Sequence, residues 1–169
     1  MTDFIAKGYQ VVTPYLTVNN AAEAIRFYVK AFGAKEVMRF EEDGVFVHGE
    51  IQITDCRIMI GEEMPDWGNK SPLTLGGSPS GLHIYVRDVD EAFAHAVKSG
   101  AKEEHPPTDM FYGDRSGNII DPFGHRWTLA THKEDLNPEQ LRERFHKFAA
   151  SMKKGPPSST SRTPEHAGR

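Results

Sequence analysis

The chain carries the same pattern twice. "YLTVNNAAEAIRFYVKAFGAKE", beginning at Tyr15, and "HIYVRDVDEAFAHAVKSGAKE", beginning at His83, align at an offset of 68 residues, so that Val18 answers Val86, Glu23 answers Glu91, Val29 answers Val97 and Lys30 answers Lys98. After a one-residue deletion, Gly33-Ala34-Lys35-Glu36 answers Gly100-Ala101-Lys102-Glu103. A duplication of this kind constrains the fold strongly. Each copy has to make the same supersecondary unit, and the two units have to bury a face against each other.

Within each copy the local signals agree. Asn20 and Asp88 each stand three residues before a glutamate, the spacing of a capping box. Ile25, Tyr28, Val29 and Phe32 in the first copy, and Val89, Phe93, Ala96 and Val97 in the second, form apolar stripes at helical spacing. Gly33 and Gly100 then end the helices. Short strands are predicted over residues 36–41, 45–53 and 57–61, and again over 102–105, 113–120 and 126–131, with turns at Asp55 and at Asp121-Pro122-Phe123-Gly124. The fold class is therefore α+β: two tandem βαβββ modules, residues 1–61 and 81–134, joined by a loop over 62–80. Edge-to-edge pairing would hide exposed strand edges and leave two paired four-stranded sheets enclosing a trough. "NPEQLRERFHKFAA" adds a C-terminal helix within residues 135–154, with Asn137 as cap, Pro138 in the first turn and Leu141, Phe145 and Phe148 on one face. Residues 155–169, "GPPSSTSRTPEHAGR", hold no large apolar side chain to offset the entropy of ordering and are expected to be disordered.

Strand alternation sorts side chains between the helix side and the trough. Leu16, Val18, Ile51, Ile53, Ile58, Ile60, Ile84, Val86, Trp127 and Leu129 belong under the helices. Thr13, Tyr15, Thr17, His48, Glu50, Gln52, Met59, Gly81, His83, Tyr85, Arg126 and Thr128 then face the trough. The counterpart of the long middle strand falls near Arg115, with Gly113 and Gly117 as candidate bulges. Tyr15, His48, Glu50, Gln52, Met59, His83, Tyr85, Arg115 and Thr128 are the candidate pocket, a mixture of aromatic, apolar and convergent polar groups suited to a small molecule. Arg115 offers a fork for a carboxylate or phosphate, and Asp114 beside it would neutralise or aim it. The Trp127 indole needs an acceptor, expected near His132, and His125 is expected to be exposed in its turn.

Charge narrows the partners. Over 169 residues, 20 basic side chains stand against 24 acidic ones, a net charge of -4, which argues against nucleic acid and anionic membranes as partners. No apolar run is long enough to span a bilayer. Cys56 is the one cysteine and "MTDFIAKGYQVV" lacks a long apolar core, so a reducing cytoplasm is the expected location.

The tandem modules, with "PYLTVNNAAEAIRFYVKAFGA", "SPLTLGGSPSGLHIYVRDVDEAF" and above all "YGDRSGNIIDPFGHRWTLATHKED", resemble the glyoxalase/bleomycin-resistance/extradiol-dioxygenase group, the vicinal oxygen chelate superfamily, and within it the PhnB-like branch. That resemblance implies a divalent metal held from the first and last strands of each module, at positions that here carry Thr13, Met59, Gly81 and Thr128. None is an ordinary nitrogen, thiolate or carboxylate donor. The expected protein is therefore a homodimer without a cofactor that binds a small organic ligand, anions included, through Tyr15, His83 and Arg115. The alternative is a lyase or dioxygenase-type enzyme. It would use a displaced metal site of His48, Glu50 and His83, or work without metal with catalytic His83 or Glu50 as general base.

Overall fold

The computed structural model describes residues 4–152; the tail expected to be disordered, residues 155–169, lies outside them. In chain order the elements are β1 (Tyr15–Val18), α1 (Ala21–Phe32), β2 (Lys35–Glu42), β3 (Val45–Ile53), β4 (Cys56–Glu62), α2 (Pro72–Leu75), β5 (Gly81–Tyr85), α3 (Val89–Ser99), β6 (Lys102–Asp109), β7 (Asp114–Ile120), β8 (Arg126–His132) and α4 (Pro138–Met152). Each module makes one four-stranded sheet, in the orders β1-β4-β3-β2 and β5-β8-β7-β6, with the first strand parallel to the last and the other pairs antiparallel. The predicted caps close: Glu23 N donates to Asn20 Oδ1 at 3.1 Å and Glu91 N to Asp88 Oδ1 at 3.0 Å. Asn137 caps α4 reciprocally, accepting from Gln140 N at 2.9 Å while the Gln140 side chain accepts from Asn137 N at 3.0 Å.

Three departures from the sequence reading have physical causes. Strand β6 continues to Asp109 through Pro106 and Pro107, because β6 is the outer strand of its sheet and a missing N–H on an edge leaves no ladder partner unsatisfied. The segment between the modules, expected as a partly ordered loop, goes further and forms a single 3-10 turn (Pro65–Trp67) and then the short helix α2, capped by the buried Ser71. Third, no ladder joins β1 to β5 among the described residues, so the two edges expected to pair face one another unpaired.

Instead the modules join through their helices and one turn. A single cluster of buried apolar side chains runs through both, from Val18 and Ile60 to Ile119 and Leu129. Its centre is aromatic: Tyr28 and Phe32 of α1 stack at 6.0 Å, and Trp127 of β8 lies 5.5 Å from the first and 4.6 Å from the second. Asp121, 3% exposed, lies where the modules meet. Its Oδ2 accepts from Tyr28 Oη (2.8 Å) and Trp127 Nε1 (2.9 Å), and its Oδ1 from the backbone N–H of Phe123 and of His125 (2.9 Å each). The acceptor for the Trp127 indole is thus Asp121 and not a group near His132. Nor is His125 exposed: its ring turns back across the seam, 8% exposed, and Nε2 donates to the Thr17 carbonyl at 3.1 Å. No helix among the described residues is long and apolar enough to cross a membrane.

Candidate functional site

The unpaired edges of β1 and β5 border a cleft of about 760 Å³, lined also by the β3–β4 turn and the segment around α2. Leu16, Ile58, Leu82 and Trp127 make its apolar wall; Tyr15, His83 and Tyr85 bring polar edges to it. Tyr15 and His83 are the equivalent residues of the two modules, as the ladders show: Tyr15 lies opposite Met59, and His83 opposite Thr128. Lys70 also lines the cleft and makes no ion pair among the described residues.

Beside the cleft, on the face of the first sheet turned away from α1, lies a compact charged cluster around Glu50. Glu50 is 2% exposed and both its oxygens are hydrogen-bonded. Oε1 accepts from Tyr9 Oη at 2.6 Å and faces His48 Nε2 at 3.1 Å; Oε2 accepts from Arg57 at 2.8 Å. Burial by itself would raise the Glu50 pKa, but the hydrogen bonds from Tyr9, His48 and Arg57 outweigh it and hold the carboxyl below its ordinary value. Glu50 is therefore held ionised, with two partners on Oε1 and one on Oε2. The Tyr9 hydroxyl is pushed the other way, its proton held by the bond to Glu50. Sequence reasoning placed His48 and Glu50 together and the structure does so. It missed Arg57, although Arg57 shares strand parity with Met59 and alternation alone would have put it on this face. Nothing in the sequence signalled Tyr9.

The second sheet carries a different cluster. The rings of His83 and Tyr85 lie 4.9 Å apart, and Tyr85 Oη donates to Asp114 Oδ2 at 2.9 Å. Asp114 is buried, and its Oδ1 accepts from His132 Nδ1 at 2.8 Å while His132 Nε2 meets Asp135 at 3.1 Å. The two carboxylates, Asp114 first, raise the His132 pKa above its ordinary value; the bond to Asp114 likewise raises that of Tyr85. Asp114 thus anchors Tyr85 and does not aim Arg115.

Arg115 itself is not in the pocket. It points to the helix side, where Nε and Nη2 donate to the two oxygens of Asp90 at the start of α3, both at 2.8 Å, and Nη1 reaches Asp109 at 3.2 Å. The cause is register. β7 pairs with β8 without a shift from Asp114 to Ile120, so Arg115 shares a face with Gly117 and the buried Ile119. A bulge at Gly117 would have turned it round, and there is none against β8.

The residues at the positions where the resemblance implies metal ligands, Thr13, Met59, Gly81 and Thr128, supply hydroxyl, thioether and no side chain, a donor set that does not fit a divalent metal. The displaced set is not assembled either. His48 and Glu50 stand together, but His83 belongs to the other sheet, and no group of three histidine, cysteine or carboxylate side chains among the described residues could hold a metal ion. Gln52, also expected on this face, bonds the Thr54 carbonyl at the β3–β4 turn at 2.8 Å.

Against known proteins, a family model described as the Glyoxalase/Bleomycin resistance protein/Dioxygenase superfamily matches residues 9–129. The chain belongs to this superfamily. An uncharacterised protein of Mycobacterium bovis is 39% identical over 134 residues, 77% of this chain and 88% of the relative. Among solved structures, a gene product of Arabidopsis thaliana is 24% identical with a TM-score of 0.60, covering 72% of this chain and 98% of that one. A mutant of FosX, the fosfomycin resistance protein of Listeria monocytogenes, solved with Mn(II) and a dihydroxypropylphosphonic acid, is 20% identical with a TM-score of 0.58, covering 81% and 98%. At these identities the two structures establish the shared superfamily fold.

Proposed function

We propose that this protein, a superfamily member of the PhnB-like type, binds a small organic anion in the cleft between β1 and β5 without the usual metal. The observation that carries the reading is the cleft itself: about 760 Å³ between two unpaired strand edges, apolar on one wall, with His83, Tyr85 and the unpaired Lys70 at its rim. Such a mixture of apolar wall and few polar groups suits a small-molecule site. With Arg115 committed to Asp90, Lys70 takes the part of the cation. A homodimer belongs to the same reading, supported by α4, whose Leu141, Phe145 and Met152 are 38%, 49% and 68% exposed on a helix held to the body through Phe111 and Glu134.

A thermal-shift screen of aryl and alkyl carboxylates and phosphonates tests the proposal, repeated with Lys70→Ala. A binder present at 100 times its Kd stabilises the folded state by about 2.7 kcal/mol. The expected result is at least one stabilising anion, bound tenfold or more weakly by Lys70→Ala, with Trp127 fluorescence responding. A screen with no stabilising anion, or one whose hits ignore Lys70, removes the reading.

A further inference from the structure

We propose that the face of the first sheet around Glu50 and Arg57 is a second binding site, for a ligand bearing a phenol-like ring, and that Tyr9 is its built-in occupant. The inference does not depend on the cleft between β1 and β5.

The arrangement has the parts of a site and an internal ligand. The Tyr9 ring lies over the Arg57 guanidinium, centroid to carbon 4.7 Å, while its hydroxyl donates to the buried Glu50 at 2.6 Å. A planar cation beneath a ring and a carboxylate at its hydroxyl recognise a phenol through both of its chemical features. His48 completes the wall, and its ring lies 6.1 Å from that of Tyr15. The backbone approaching Tyr9 is shaped to cross this cation. Gly8 has φ +89°, and a Cβ there would stand 3.1 Å from Arg57 Nη2, so the strap passes over the guanidinium where a side chain would crowd it. One feature of the site is left unused by the occupant: Arg57 Nε is buried and has no hydrogen-bond partner, a donor that a ligand larger than tyrosine could engage.

The occupant is held by its ring, its hydroxyl and the neighbouring Gln10, with little apolar burial beside them. Residues 4–14 form no regular element, and Phe4, Val11 and Val12 on either side of Tyr9 are 89%, 77% and 81% exposed, contributing little burial. The side chain of Gln10 ties the strap to the β3–β4 hairpin, through the Asp55 carbonyl and the Arg57 N–H. A segment with so few buried contacts opens at low cost. Its opening leaves Glu50, Arg57 and His48 as a preformed cradle for a phenol from outside.

The test uses p-cresol, the tyrosine side chain as a free molecule, with toluene as the ring lacking the hydroxyl. In the full-length chain carrying Tyr9→Ala, NMR titration should show p-cresol shifting the His48 and Arg57 signals, at least tenfold tighter than toluene and tenfold tighter than in the wild type. Adding Glu50→Gln should sharply reduce that preference; should this variant not fold, Arg57→Lys should weaken p-cresol and toluene alike and leave their ratio unchanged. In the wild type, p-cresol should speed amide exchange in residues 9–13 as it displaces Tyr9. Equal binding of toluene and p-cresol, strap exchange unmoved at p-cresol concentrations that shift His48 and Arg57, or shifts confined to Lys70 and Trp127 in the separate cleft would each overturn the proposal.

Discussion

At the scale of single residues, the carboxylates divide the labour. Asp121 carries no surface function: a buried acceptor with four donors, it ties the turn, Trp127 and the other module's Tyr28 into one network, and leaving those donors unmet is what its loss would cost. The sequence marked the Asp-Pro-Phe-Gly turn, yet nothing local revealed that Tyr28, 93 positions away, would share its carboxylate, because that pairing exists only once the modules meet. Asp114 reaches a titrating partner, His132. With Asp135 it raises the His132 pKa above 6.5 in the folded state. A raised folded pKa means that the charged imidazole stabilises the fold fully below the unfolded pKa, and that this contribution is lost as pH rises through the folded value. Melting temperatures of wild type and His132→Asn should therefore differ most near pH 6 and converge at mildly alkaline pH. A gap independent of pH over that range would show that the imidazolium is not the stabilising form.

At the scale of elements, the helices were the most legible part, because caps, stripes and stop glycines are local signals. The faces of β7 were not, and one residue explains why. A glycine in a strand is either a bulge or a place where another element comes close. Gly117 is the second kind: a Cβ there would stand 2.9 Å from the Pro107 backbone nitrogen and 3.0 Å from the Phe93 ring of α3. Correspondence with the first module placed Arg115 in the pocket; the unshifted register through Gly117 puts it on Asp90. The first module makes the same economy at Gly49, whose Cβ would meet side-chain atoms, Phe46 at 2.6 Å and Ile25 at 2.9 Å. Both glycines therefore mark where a strand passes beneath its helix. Gly117→Ala should destabilise by about 2 kcal/mol, the range for an overpacked core, because a backbone atom and a packed ring must both yield. Gly49→Ala should cost less, since the atoms met, Phe46 Cζ and Ile25 Cδ1, are the far ends of side chains and no backbone atom has to yield. Urea denaturation of the two variants reads the order directly, and an equal or reversed ranking would contradict this account of the strand.

At the scale of the whole molecule, the duplication suggests two independent halves, and the packing says otherwise. The β1 and β5 edges share no ladder, so what joins the halves is α1 against α3, His95 Nε2 donating to the Lys30 carbonyl at 2.7 Å, and the aromatic group of Phe27, Tyr28, Phe32, Phe123 and Trp127. Tyr28 is fully buried, yet a good part of what covers it comes from the second module. A module of about 60 residues buries only about 60% of the surface of its unfolded chain, and is marginal before any of that interface is taken away. Residues 1–80 alone would present Phe27, Tyr28 and Phe32 to water and lose the carboxylate that accepts from the Tyr28 hydroxyl. The full chain should accordingly unfold in one transition, with far-UV circular dichroism and tryptophan fluorescence coincident, while the 1–80 fragment shows no cooperative melt. A fragment melting sigmoidally within a few degrees of the full chain would mean that the shared aromatic core is not what stabilises the first module. The cleft would then be bordered by two rigid bodies free to move, and its width could change with the ligand. With a single cooperative core behind it, the spacing between the β1 and β5 edges is fixed by Asp121 and the aromatic group, and the size of the ligand proposed for the cleft would be set by the fold before it arrives.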